Sequence, residues 1–174
     1  MNRDPTLCRS FVRQAKEALS HFPHVKHTWS IDADEDHCIL DIPSQCDGGF
    51  PITVEVHPDE IMVTAGGAHT NASPDGKPDE LVSHVLGFIR DLLSPAMRVR
   101  ELLAGGKPYK WAIELCQNGK WHTEEWVGLI FYNYFGRKTE MTYQNTILPA
   151  RKDPVEPAGG AYGSPAAGEP SAHP

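Results

Sequence analysis

Two stretches of the chain carry apolar residues at the spacing of an amphipathic helix. In residues 7–22 the apolar positions recur every three or four residues, and Pro23 ends the run. In residues 78–93 a proline at the first position is followed by a broad apolar face. Proline suits the first turn of a helix, and this recurrence aligns side chains on one side. The pattern therefore predicts two helices, each with one face to bury.

Elsewhere, apolar and polar residues alternate with the period of two that is typical of strands. The alternation predicts strands over residues 25–31, 38–42, 52–56 and 61–64 before the second helix, and over 97–102, 109–116 and 126–135 after it. Asn118 and Gly119 both tolerate positive φ, which indicates a hairpin turn between two of these strands. Residues 65–77 are polar and glycine-rich, and are interpreted as a long connection.

The order of these elements favours an α+β fold. Two amphipathic helices packed on antiparallel β-meanders would bury both apolar faces, in the order helix–four strands, then helix–about four strands. The pattern leaves open whether the strands form one sheet, two sheets or a partly closed barrel. Proline, glycine and alanine dominate the end of the chain, and offer little apolar area to offset the entropy of ordering. We expect a single domain over residues 1–149 and a disordered tail over 150–174.

The composition argues against several classes of partner. The chain has a net charge of -7, with 40% hydrophobic and 22% charged residues. An acidic chain without a run of lysine and arginine is poorly suited to nucleic acid or to an anionic membrane surface. No apolar run approaches the ~20 residues that span a bilayer, so no membrane partner is expected. Composition does not indicate the oligomeric state.

The cysteines and the first residues indicate the compartment. The chain enters its first helical pattern without the apolar core of a secretion signal. Cys8, Cys38, Cys46 and Cys116 are widely and irregularly spaced, which favours reduced thiols over a disulfide framework. Since reduced thiols are the rule in the cytosol, a cytoplasmic protein is expected.

Two sets of residues resemble metal-ligand patterns without completing them. Residues 32–36 supply three alternating aspartates, as at the start of a calcium loop, but His37 stands where that loop requires glycine. Three histidines are spaced three apart over residues 21–27, but Pro23 interrupts the helical face that would align them. A solvated turn is the simpler interpretation of the first set. The sequence therefore predicts no metal ligand and no cofactor.

Catalysis requires a nucleophile, a base and an orienting group brought together. Cys38 or Cys46 is a possible nucleophile, but neither lies in a recognised nucleophile setting. His57 and His69 are possible bases, but no spacing ties either of them to a cysteine. The sequence therefore predicts no catalytic residue and favours a protein that is not an enzyme.

The run from Tyr132 to Lys138 combines aromatic and basic residues. Consecutive aromatic residues in a strand face both sides of a sheet, so some of them lie outside a single core. Exposed tyrosine beside arginine is typical of an interface hot spot. Tyr132, Tyr134 and Arg137 are therefore candidate binding residues. They support the first hypothesis, a non-enzymatic cytosolic binding or protein-interaction module with a protein partner.

A second hypothesis is a small-molecule enzyme or ligand carrier with a pocket between the helices and a curved sheet. Such pockets are mostly apolar, with a few polar groups. Trp29, Tyr109, Trp111 and His27 fall on apolar strand faces and are the candidate lining residues for a small apolar ligand.

Overall fold

The computed structural model describes residues 6–73, 77–128, 133 and 135–151. Within these ranges, helix α1 spans Leu7–Ser20 and helix α2 spans Pro78–Leu92. The strands are β1 Thr28–Ile31, β2 Cys38–Ile42, β3 Ile52–Val56, β4 Ile61–Ala65, β5 Ala68–Ala72, β6 Met97–Ala104, β7 Lys107–Gln117, β8 Lys120–Gly128 and β9 Lys138–Tyr143. In this part of the chain, no helix has the length and apolar composition needed to cross a membrane.

The strands form two antiparallel sheets. The first sheet has the order β1-β2-β3-β4-β5, and the second has the order β8-β7-β6-β9. Each helix precedes one sheet along the chain, so the order is helix–five strands, then helix–four strands. The α+β class predicted from the sequence is therefore confirmed. Of the three arrangements that the sequence left open, the structure has two sheets.

Strand β5 lies in the stretch that the sequence suggested as a polar connection, so that interpretation of residues 65–77 was wrong. Gly66 adopts a φ of 60°, and the turn that it forms pairs Ala65 with Ala68. Positive φ suits glycine because it has no Cβ. Along β5 the buried positions are Ala68, Thr70 and Ala72. Their short side chains give little hydrophobic signal, which is why the alternation was not recognised.

The strand predicted over residues 126–135 differs from the structure in its bounds. Strand β8 begins at Lys120, closer to the Asn118 turn, and ends at Gly128. Asn118 has a φ of 53° and Gly119 a φ of 74°, as the predicted hairpin turn requires. Residues 129–132 and 134 of the predicted strand lie outside the described residues, as does the predicted tail beyond Arg151.

Polar side chains fix the first turns of the two helices and join them. The hydroxyl of Thr6 caps α1 by accepting a hydrogen bond from the backbone N–H of Arg9 at 3.3 Å. Asp79, in the first turn of α2, accepts hydrogen bonds from the hydroxyl of Ser10 and, at 3.0 Å, from the amide of Gln14. The Ser10 hydrogen bond is the main reason that the pKa of Asp79 is lowered. The N-terminal halves of the helices are thereby held side by side.

One hydrophobic core connects the helices with both sheets. Its buried members include Phe11 and Ala15 of α1, Val85, Phe88 and Leu92 of α2, Leu40 and Val54 of the first sheet, and Met97, Val99, Ile113 and Leu115 of the second sheet. Strand β5 of the first sheet also contacts β7 and β8 of the second. Because the two sheets share this core, each helix contributes to the stability of both sheets and not only of the sheet that follows it in the chain.

After β9 the chain returns to the C-terminal end of α2. Asn145 is fully buried, and its amide donates hydrogen bonds to the carbonyl groups of Phe50 at 3.1 Å and Leu92 at 3.3 Å. The backbone N–H of Leu148 donates to the carbonyl of Leu93 at 3.0 Å. These bonds hold the last described residues against α2.

Two leucines of α2 are expected to differ in their contribution to stability. Leu92 is fully buried, whereas Leu86 is half-buried beside a cavity. Replacing Leu92 with alanine should lower the free energy of unfolding by about 2–5 kcal/mol, through lost transfer energy and a new cavity. Leu86→Ala should lower it by about 1 kcal/mol, because less apolar area returns to water. Urea unfolding measures the free energy of unfolding of both variants. Equal losses of stability would show that Leu86 belongs to the closed core.

Candidate ligand-binding cavity and surfaces

A cavity of ≈ 440 Å³ lies between the C-terminal halves of the two helices. Most of the residues that line it are apolar, among them Leu19, Phe22, Leu40, Ile42, Leu86 and Leu148. Ala15, Ala18 and Gly87 also line it, and the lack of bulky side chains at these positions leaves space between the helices. The helices are tied together at Asp79, so the gap lies at the opposite end of the pair.

Two arginines stand at the mouth of this cavity and differ in their partners. Arg151 donates to Asp91 at 2.9 Å and to the carbonyl of Gly87 at 3.0 Å, and the Asp91 hydrogen bond raises the pKa of Arg151. The guanidinium of Arg90 lies 5.6 Å from the centre of the Phe22 ring. The Nε atom of Arg90 is buried and has no hydrogen-bond partner among the described residues. Arg90 is therefore the less engaged of the two guanidinium groups among the described residues.

The four residues predicted to line a pocket do not line this cavity. Trp29 is half-buried in the edge strand β1, where its ring centre lies 6.1 Å from that of Phe11. His27 is exposed just before β1, and its ring lies edge-on to Trp29 at 6.4 Å. Tyr109 and Trp111 lie in β7 of the other sheet. A role in ligand binding for these four residues stays a prediction.

Trp111 instead lines a recess of ≈ 220 Å³ where the β4–β5 turn meets the second sheet. Glu101 accepts hydrogen bonds there from the Trp111 indole N–H at 2.8 Å and from the Tyr143 hydroxyl at 3.0 Å. Burial and the bond to Glu101 raise the pKa of Tyr143. A side chain at Gly67 would collide with the indole. These hydrogen bonds lie within the second sheet, and the close approach of Gly67 to the indole packs the β4–β5 turn against it.

The outward face of the second sheet brings basic and aromatic residues together. Cross-strand pairing places Arg98 opposite Glu114, and Arg100 opposite Ala112. On the far side of Ala112 lies Trp126. The short side chain of Ala112 leaves room for the arginine and the tryptophan above it. The face thus follows from the register, because the partners are far apart in sequence.

Cations are stacked on the two tryptophans of this face. The guanidinium of Arg98 lies 4.1 Å from the ring centre of Trp121. The ring of Trp126 is approached by Arg100 at 5.2 Å and by the ammonium group of Lys110 at 3.8 Å. Such contacts hold the aromatic rings in place without burying them, and Trp126 remains 41% exposed. Arg98, Arg100, Lys110, Trp121 and Trp126 together are called the tryptophan–arginine face.

A buried carboxylate organises the tryptophan–arginine face. Glu114 is 3% exposed and accepts hydrogen bonds from the Nε atoms of Arg98 at 2.6 Å and Arg100 at 2.7 Å. Glu140 adds a longer contact of 3.6 Å to Arg100 at the exposed edge. One glutamate therefore fixes two guanidinium groups that each carry a full positive charge.

The aromatic and basic residues singled out from the sequence differ from those of the tryptophan–arginine face, and a binding role for Tyr132, Tyr134 and Arg137 stays a prediction. Tyr132 and Tyr134 lie outside the described residues. Arg137 is exposed, and its carbonyl accepts a hydrogen bond from Gly105 at 3.0 Å, just beyond the end of β6. Trp121 and Trp126 were not among the candidate binding residues, because a single tryptophan in an alternating strand gives no local signal of its neighbours in the sheet. Only the pairing with β6 and β7 places arginine and lysine over their rings.

No protein-family model, no curated protein and no solved structure matches this chain. A function is therefore inferred from the geometry of the cavity and of the sheet surface.

The Asp91–Arg151 pair is expected to matter for stability. Asp91 is fully buried, so replacing Arg151 with alanine removes hydrogen bonds from a buried charge. We expect the free energy of unfolding to fall by about 1.5–3 kcal/mol. The double variant with Asp91→Asn should recover part of the loss, because no buried charge remains. Urea unfolding gives the coupling energy.

Deleting residues 152–174 is the matched control for this pair, since Arg151 is kept. The predicted tail has little apolar area, so the free energy of unfolding should change by less than about 0.5 kcal/mol. A large loss on this deletion, or none for Arg151→Ala, would contradict the assignment.

Proposed function

We propose that the protein is a non-enzymatic binding protein whose cavity takes a small amphipathic anion, a carboxylate with an apolar body. The observation that carries the proposal is the position of Arg90. Its guanidinium stands at the mouth of an apolar cavity of ≈ 440 Å³, with an Nε atom that has no hydrogen-bond partner among the described residues.

The shape and lining of the cavity support an apolar body for the ligand. Its volume falls within the roughly 300–1,000 Å³ that is usual for small-molecule sites. Leu19, Phe22 and Leu86 face the open space from the two helices. A ligand that covers these side chains removes their exposed apolar area from water, which is the main driving force for such binding.

The charge at the mouth supports an anionic head group. A carboxylate in the cavity that accepts from the charged side chain of Arg90 gains hydrogen bonds worth about 1.5–3 kcal/mol each. Guanidinium and carboxylate groups also match in shape, because both are planar and can form paired hydrogen bonds. Arg151 is less available to the ligand than Arg90, since its Nε and Nη2 atoms already donate to Asp91 and Gly87.

The polar lining supports a carrier over an enzyme. The described lining contains no cysteine, carboxylate or lysine. Its hydroxyl comes from Ser83 and its imidazole from His21, and the two are not hydrogen-bonded to each other. An activated serine needs a base within hydrogen-bond reach. The four cysteines of the chain are free, which supports a cytoplasmic location.

Dodecanoate and dodecanol test the cavity as a pair, because they share an apolar chain and differ in charge. Each competes with the fluorescent probe anilinonaphthalene sulfonate for the full-length protein. Arg90→Gln should weaken dodecanoate binding about tenfold or more, the effect of losing a charged hydrogen bond, and should change dodecanol binding little. Leu86→Trp should weaken both ligands, because the indole fills the cavity.

Arg137→Gln is the matched control, since it removes an exposed arginine that lies just before β9 and does not line the cavity. It should leave both affinities unchanged. If neither Arg90→Gln nor Leu86→Trp weakens dodecanoate binding, the ligand binds outside this cavity. No dodecanoate binding by the unmodified protein would refute the anionic-ligand proposal.

A second candidate function is the recognition of an acidic protein segment by the tryptophan–arginine face. Trp126 is exposed while two cations hold its ring, so little side-chain entropy remains to be lost on binding. Tryptophan and arginine are also the residues most enriched in interface hot spots. A partner with glutamate and tyrosine side chains complements this face in charge and in aromatic contact.

A synthetic peptide of alternating glutamate and tyrosine tests this second function by NMR titration. The indole N–H signals of Trp121 and Trp126 should shift, and Trp126→Ala should weaken binding at least tenfold. Trp29→Ala is the matched control. Trp29 lies in the other sheet and also has a cation beside it, since the ammonium group of Lys16 is 5.8 Å from its ring centre. Equal losses of peptide affinity in the two variants, or NMR shifts confined to residues away from β8, would exclude the tryptophan–arginine face as the binding site.

A further inference from the structure

Two turns meet at one end of the first sheet. The turn over residues 32–37 joins β1 to β2, and the turn over residues 57–60 joins β3 to β4. Each is closed by a backbone hydrogen bond, from Asp32 to the carbonyl of His37 at 3.1 Å and from His57 to the carbonyl of Glu60 at 2.9 Å. The aspartate-rich run is thus a hairpin turn, as interpreted from the sequence.

The register of β2 and β3 places two histidines side by side at this end. Cys38 pairs with Val56, and both side chains are fully buried. Because side chains alternate, the next residues outward, His37 and His57, face the opposite side of the sheet. Their ring centres are 4.9 Å apart. Glu55 shares this outward face, and its Oε2 atom is 3.9 Å from the Nε2 atom of His57.

We propose that His37, Glu55 and His57 form a binding site for Zn²⁺, with water as the fourth ligand. The three donor atoms lie within 4.8 Å of one another. Zinc bonds of 2.0–2.2 Å in a tetrahedral arrangement place donors roughly 3.3–3.6 Å apart. Side-chain rotations that move the donor atoms by about 1 Å therefore close the site, and all three side chains are half-buried.

Asp32 supports one of these ligands from behind. Its Oδ2 atom lies 3.4 Å from the Nδ1 atom of His37, which leaves the Nε2 atom of that ring for the metal. A carboxylate on the far nitrogen of a ligating histidine is the common arrangement in zinc sites, because it fixes the ring and its tautomer. Asp34, Asp36 and Asp59 in the same two turns add negative charge around the site.

The donor set distinguishes the metal. Imidazole nitrogens suit zinc and its transition-metal neighbours, whereas calcium and magnesium prefer oxygen ligands throughout. The site lies on the outward face of the first sheet, away from the residues that line the cavity between the helices. The inference is therefore independent of the proposed ligand. It also differs from the sequence expectation of no metal.

Titration of the full-length protein with Zn²⁺ and with Co²⁺ tests the site. Calorimetry should give one Zn²⁺ per chain, and bound Co²⁺ should give the intense visible absorption of a tetrahedral complex. His57→Asn and Glu55→Gln should each weaken Zn²⁺ binding at least tenfold. Asp32→Asn should weaken it by about 10-fold to 100-fold, as is usual for the partner of a ligating histidine.

His69→Asn is the matched control, because His69 is exposed on the same outward face, in strand β5. It should keep the affinity of the unmodified protein. An NMR readout on the unmodified protein does not depend on the folding of any variant: Zn²⁺ should shift the ring nitrogens of His37 and His57 and not those of His69. Loss of binding in His69→Asn, several weak ions per chain, or ring shifts spread over the other histidines would each overturn the proposal.

Discussion

The fold depends on one constraint, the register of strand pairing. In both sheets it must place buried positions opposite buried ones and exposed positions opposite exposed ones. Cys38 pairs with Val56 in the first sheet and Val99 with Ile113 in the second, and all four side chains are buried. A slip of one residue in either pair would turn apolar side chains outward and polar ones inward. The register that builds the core also decides which residues meet on the outer faces. Both candidate surface sites follow from it.

For ligand binding, the local distribution of charge matters more than the net charge of the chain. The net charge is -7, yet Arg90 stands at the mouth of the cavity and two arginines stand on the second sheet. Acidic residues are concentrated in the turns near His37. Electrostatic interactions weaken over a Debye length of about 8 Å at physiological salt, so a ligand responds to the local charges. An acidic protein can therefore bind an anion and a cation at different places.

Some features of the candidate sites could be expected from the sequence, but their positions could not. The second hypothesis placed a pocket between the helices and a curved sheet, and the cavity between the helices is also lined by Leu40 and Ile42 of the first sheet. The aromatic candidates did not line it, because Trp111 hydrogen-bonds to Glu101 at the junction of the sheets. The cavity depends on the small residues Ala18 and Gly87. In a sequence, small residues within a helical pattern predict a helix and do not indicate a cavity. The histidine cluster was missed because His37 and His57 are brought together only by strand pairing.

The sequence by itself determined the element types, the α+β class and most strand positions. Those properties depend on local periodicity, and the alternation of β2, β3, β6 and β7 is strong in the printed sequence. It did not determine β5, since alanine and threonine bury little area, nor the division into two sheets. Tertiary structure decided these, together with the cavity and the pairing of Glu114 with two arginines. The physical reason is that such features depend on residues distant in sequence, which meet only when the shared core closes.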